Sequence, residues 1–315
     1  MRTESGVPTC HPCPARRLRI RHSSAVIAIL GGLGAAFLWS AATLASARAS
    51  RLIGASSTVA WAMLIGLLIA LPGALLAGPL PPITGTTVVW LAFSGFGNVA
   101  GLLLVYRGLK IGKIGVVSAL ASTEGAVAAA IAILGGERLT IGVGAMLVVI
   151  AFGVATVALA APHVAEEQPS RRAVDPAAAR RAALFGASSA VAFGLGLYGS
   201  GQVGMALPIS IAVLPPRVVG TVAVFIPMAL SGHLRLRREA LPFVALIGLV
   251  EVVGTASFAL GARQSIAIAA VLASQFAAIS AVAAFLLYRE RLSVRQRSGV
   301  VAIALGVAAL TALRG

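Results

Sequence analysis

Residues 108–160 can be laid without a gap on residues 261–313, and that register sets Glu137-Arg138-Leu139 on Glu290-Arg291-Leu292. The same shift brings Gly108 onto Gly261, Lys110 onto Arg263, and Gly153-Val154-Ala155 onto Gly306-Val307-Ala308. A chain built this way consists of two copies of one unit, and its fold has to be a relation between those copies.

The repeated unit is apolar. The 315 residues are 59% hydrophobic and 11% charged, with a mean hydropathy of +0.98, outside the range of a soluble domain. Runs of about 17–25 apolar residues recur, each long enough to cross a hydrocarbon layer of about 30 Å. Ten are read, at about 25–46, 56–77, 86–106, 113–134, 140–160, 182–202, 209–231, 240–261, 266–287 and 296–313. The expected fold is an all-α membrane protein of ten transmembrane helices.

The polar stretch 161–181 separates five spans from five. It divides the chain into a basic tail at 1–24, a first repeat at 25–160, a linker at 161–181 and a second repeat at 182–313. An odd number of spans per repeat turns the second copy upside down relative to the first. The repeats are therefore expected to be inverted, an arrangement used by many secondary transporters that rock two halves around a central site.

The formal net charge of +16 would suggest nucleic acid in a soluble chain. Here the basic residues lie in caps and loops, where they anchor to anionic lipid head groups, so a bilayer and not nucleic acid is the expected partner. Residues 1–24 contain no apolar core of a cleaved signal peptide. Cys10 and Cys13 are the only cysteines, and with His11 they fall short of the four ligands of a closed metal site. Neither a metal nor a cofactor is expected.

Polar groups at membrane depth are costly and are functional candidates. Glu124 falls in the fourth span, Glu251 in the eighth and Arg217 in the seventh. Under the repeat register Glu251 meets Asn98 and Gln275 meets Ser122, so an axis in the membrane plane would bring both polar sets to one cavity. Glu124, Glu251, Asn98, Gln275 and Ser122 are thus cavity candidates, with Trp39 and Tyr198 as aromatic candidates. Arg217 is expected in a structural ion pair, and a carboxylate as a proton carrier. Pro215, Pro216 and Pro227 should kink or break the seventh span. Gly97-x-x-x-Gly101 is expected to pack helices closely. Glu137-Arg138 and Glu290-Arg291, each followed by Leu and then Thr140 or Ser293, are read as turn motifs that tie a loop to a neighbouring helix end.

The segment from Leu120-Ala-Ser-Thr-Glu124-Gly125 to Glu137-Arg-Leu-Thr140 resembles the EamA repeat of the drug/metabolite transporter superfamily. Leu272-Ala-Ser-Gln275-Phe276 through Glu290-Arg-Leu-Ser293 resembles the same repeat, as does Phe37-Leu38-Trp39-Ser40. The resemblance spans roughly 25–313. It implies ten helices in two inverted five-helix repeats, cytoplasmic termini, and a cavity lined by spans one, three, four, six, eight and nine. Gly125 stands where that family often has Pro, and Ala277 stands at the position equivalent to Glu124.

The expected function is export of a small organic metabolite or drug across the cell membrane by a multi-pass secondary transporter, with a coupling proton or cation and a homodimer both compatible with the sequence. No GxxxxGK[ST] loop for ATP is present. The alternatives are an intramembrane enzyme and a non-transporting scaffold. No catalytic residue is assigned, because all four histidines lie in tails or loops. Orientation divides the sequence signals: with the N-terminus inside, eight of these basic residues fall inside and sixteen outside, against the implied cytoplasmic termini.

Overall fold

A computed structural model describes residues 14–111, 117, 120–160 and 176–276, together with 278–280, 282–283, 298–299, 301–302, 305–306 and 309. Cys10, His11, Cys13, most of the 161–181 linker, and Glu290-Arg291 lie outside the described residues. Among the described residues all regular structure is helical.

The helices are α1 (Pro14–Ile53), α2 (Ala55–Leu75), α3 (Gly85–Ile111), α4 (Glu124–Leu134), α5 (Ile141–Ala160), α6 (Pro176–Ala206), α7 (Ile209–Leu230), α8 (Leu241–Ala262) and α9 (Ile266–Ala273). Six helical segments are long and apolar enough to cross a bilayer: Val26–Ile53, Ala55–Leu75, Gly85–Val105, Ala177–Ala206, Ile209–Leu230 and Arg238–Ala262. Shorter apolar helices cover Glu124–Leu134, Ile141–Gly153 and Ile266–Ser280. Apolar side chains at many helix ends and outer faces are exposed, as a lipid-facing surface requires.

Two boundaries differ from the sequence reading. α1 begins at Pro14, so residues 14–24 continue the first span as helix instead of forming a separate tail. Proline is favoured at the first helical position, and arginine is a good helix former. α6 likewise begins at Pro176, inside the segment read as linker. At the opposite end of α1, Gly54 takes a φ of +84°, which lets α2 follow after a single residue.

Three antiparallel helix pairs join the first five helices to the later ones. In α1–α8, Gly31 lies against Gly261, while Ile53 shares a core with Ala240 and Val244. In α3–α6, Gly97 faces Ala192 and Gly196, Gly101 faces the Phe193 ring, and Ser94 and Ser200 hydroxyls meet at 2.7 Å. Small residues at these crossings permit backbone contact where lipid offers no hydrophobic drive for association. In α4–α9, Gly125 packs on Ala270 and Ser274. The 153-residue shift exchanges α1 with α6 and α8 with α3, so the first two pairs are counterparts, and α4–α9 is its own counterpart.

α7 is irregular, and its prolines are the cause. Pro215 and Pro216 have no N–H to donate to the preceding turn, and the helix breaks at Val213. Pro227 cannot bond to the carbonyl four residues earlier, and the backbone just before it, Thr221–Phe225, is a π-helix.

Candidate functional site at two interrupted helices

The fourth span is not continuous. Residues 120–121 are helical, Ser122 and Thr123 form a turn, and α4 starts at Glu124. The Thr123 hydroxyl donates to the Leu120 carbonyl at 2.7 Å, a local bond that competes with the helical ladder. Glu124, read from sequence as a mid-span residue, therefore sits at the mouth of a helix.

The ninth span is interrupted at the equivalent place. α9 ends at Ala273, Ser274 and Gln275 form a turn, and helix resumes at Phe276. Both the Ser274 hydroxyl and the Gln275 amide donate to the Val271 carbonyl, at 2.8 and 3.0 Å. The two interruptions face each other. A Cβ on Gly125 would lie 2.5 Å from the Ala270 carbonyl oxygen and 2.6 Å from the Ser274 hydroxyl. Only glycine fits between them, which accounts for the residue found where the resembling family often has proline.

Around this crossing several buried polar atoms have no partner. Glu124 is 8% exposed, and its carboxylate makes no hydrogen bond or ion pair among the described residues. Gln275 is 1% exposed, and its Oε1 is unpaired. Trp39 Nε1 is also buried without an acceptor, lying where a Cβ on Gly254 would be, with the indole near Phe258 and Phe276. Ser40, next to Trp39, is a buried partner of Ser280. Ser122 is buried and Asn98 half-buried.

The other intramembrane charges meet. Arg217 is 2% exposed and donates to Glu251 Oε2 at 2.8 Å, with Thr255 Oγ1 and Met63 Sδ each at 3.5 Å. Gly66 leaves room for the arginine stem. Arg217 Nε and the Thr221 hydroxyl, one turn apart, are unpaired. Glu251 is 30% exposed. The sequence offered Glu124 and Glu251 alike as carboxylates for Arg217, and the contact observed is with Glu251, 34 residues away.

A second polar feature lies at the end of the bundle near the α4–α5 turn. A cavity of about 300 Å³ is lined by Glu137, Tyr198, Gln202, Arg263, Gln264 and Ser265, among others. Glu137 accepts from the Ser265 hydroxyl and from the Ala267 N–H at 3.2 Å, and so holds the start of α9. Arg263 donates to the Gly204 and Leu207 carbonyls at 2.6 and 3.1 Å and holds the end of α6. Tyr198 accepts from Gln202 at 2.7 Å and packs edge-on against Trp90. Arg138 is exposed at the same turn.

The fold and its buried polar centre define a helical multi-span membrane protein whose two sets of helices meet at paired helix interruptions. Residues 26–159 match the EamA-like transporter family, a similarity that covers the first of the two repeats. A solved crystal structure is similar over 91% of this chain and 98% of that one, with a TM-score of 0.71 and 18% identity, a likeness of fold. No curated protein matches the chain.

Proposed function

We propose that the protein is a secondary transporter that moves a small organic solute by alternating access, with the crossing of the fourth and ninth spans as its binding centre. The observation that carries this reading is Glu124: a buried carboxylate, without a partner among the described residues, where two interrupted helices from the two repeats meet. Interrupted helices at membrane depth are tolerated where backbone lines a cavity, and secondary transporters place their sites there. The exchange of α1–α8 with α3–α6 under the repeat register supports two inverted five-helix repeats, 25–160 and 182–313, as the moving bodies.

Glu251, Asn98, Gln275, Ser122 and Trp39 border the same centre in this reading. Tyr198 belongs to the terminal cavity, which serves as a vestibule on the path. Glu124 is the group through which a proton or cation would couple to transport. Export, a plasma-membrane location, cytoplasmic termini and dimerisation follow as further parts of the proposal.

Purified protein in liposomes tests it. A solute gradient alone should drive flux without ATP, and Glu124→Gln should lower the flux at least tenfold while the protein stays folded and monodisperse. Equal flux in the variant would remove the carboxylate from the mechanism, and absence of flux across a broad solute panel would remove the transport reading.

A further inference from the structure

The contact between α4 and α9 changes character along its length. Its inner end is the crossing, where Gly125 packs on Ala270 and Ser274. From there Gly125, Ala128, Ala129 and Ala132 recur at the spacing of one helix face, and the three alanines share an apolar core with Ile266–Ala273 of the facing helix. Neither 126–134 nor 266–273 contains a polar side chain. At the outer end the two spans are tied by a polar clasp, in which one Glu137 oxygen accepts from the Ser265 hydroxyl and the other from the Ala267 N–H at 3.2 Å. Glu137 and Ser265 line the terminal cavity together with Ala132 and Ile266, so the apolar seam starts at the wall of that cavity.

The clasp joins the two copies. Glu137 belongs to the first repeat, and Ser265 and Ala267 to the second, whereas the neighbouring tie from Arg263 to the Gly204 and Leu207 carbonyls stays within the second. Small side chains bury little area apiece, so the alanine seam by itself resists parting weakly. A half-buried carboxylate beside a cavity can exchange its protein donors for water, which makes the clasp a contact that opens and reforms. Its two parts are not equally repeated. The 153-residue register sets Glu137 on Glu290 but Ser265 on Gly112, which has no hydroxyl to give.

Resting on the transport reading above, we propose that this clasp is the latch of a gate at the end of the bundle that bears the cavity. Made, it holds α4 and α9 together from the crossing to the cavity wall and shuts the cavity off from the binding centre. Broken, it lets the alanine seam part, and the cavity becomes continuous with the crossing. Because the serine is present in one copy alone, closure at this end is the favoured resting state.

Access to the seam, measured on the purified full chain with Cys10 and Cys13 replaced by serine, tests the latch without any solute. The reporter is Ala129→Cys, on the α4 face against α9, and the probe is a water-soluble methanethiosulfonate carrying a quaternary ammonium group. Ala128→Cys serves where the first reporter does not fold. Modification should be slow with the clasp intact, about fivefold or more faster when Glu137→Ala removes both bonds, and accelerated less by Ser265→Ala, which removes one. Glu137→Gln keeps an acceptor oxygen and should fall between Glu137→Ala and the intact clasp. Arg263→Gln removes the tie within the second repeat and should leave the rate unchanged. No acceleration in folded Glu137→Ala, or the same acceleration in Arg263→Gln, would overturn the latch. In liposomes, Glu137→Cys/Ser265→Cys bridged by a short reducible bifunctional methanethiosulfonate should lose most of its flux for any solute that the unbridged protein carries, and regain it on reduction. Flux that survives the bridge would also overturn the latch. Flux absent both before and after reduction, with the reporter rates as expected, would count against the transport reading and leave the latch standing.

Discussion

Gly125 carries the tightest requirement in the site. With 2.5 Å from its would-be Cβ to a backbone carbonyl, neither partner can yield without moving a helix. Gly125→Ala is expected to cost about 1–3 kcal/mol through overpacking, read as a lower melting temperature in detergent. The Thr221 hydroxyl is buried and unpaired, so Thr221→Val removes an unsatisfied group at nearly constant shape. That substitution should be neutral or stabilising by up to about 1–3 kcal/mol, and a marked loss of melting temperature would mean that the hydroxyl has a partner. Glu124, Glu251 and Arg217 were legible in the sequence because charge is rare at membrane depth. Their division into one pair and one free carboxylate was not legible, since it depends on how α7 and α8 turn toward one another. The tight fit of Gly125 was equally hidden, because a glycine among alanines in an apolar span carries no mark of what lies against it.

Among the elements, the interruptions in the fourth and ninth spans and the irregular α7 separate this molecule from a bundle of straight rods. The prolines of α7 announced a break. Ser122-Thr123 and Ser274-Gln275 did not, because short polar residues are also found in continuous membrane helices, where they bond back to the preceding turn. The turn motif beginning at Glu137 was legible as a tie to a neighbouring helix end, and the neighbour is the start of α9. A carboxylate there satisfies one N–H group left open by the helix, that of Ala267, and complements its dipole. Glu137→Ala is expected to destabilise by about 1 kcal/mol and to speed amide exchange at the start of α9 ahead of the other helices. Exchange unchanged at residues 266–268 would show that Ser265, which caps Ile268 on its own, suffices.

For the whole molecule, the repeat register specified which helices are counterparts, and the structure adds which ones touch. α1–α8 and α3–α6 cross through small residues and form two matching seams, while α4–α9 closes the centre between them. The register alone could not supply this, since similarity between copies says nothing about the contacts between them. Topology is a prediction at this scale. With Cys10 and Cys13 replaced by serine, a cysteine at position 170 should be labelled from outside intact cells if the termini are cytoplasmic; labelling only after the inner face is opened would reverse that orientation. The most direct test of the account is solute flux into liposomes containing the purified protein, driven by the solute's own gradient without ATP, across a panel of small organic solutes in wild type and Glu124→Gln. The account predicts saturable uptake in wild type and at least a tenfold loss in the folded variant; equal uptake by the two proteins would contradict it.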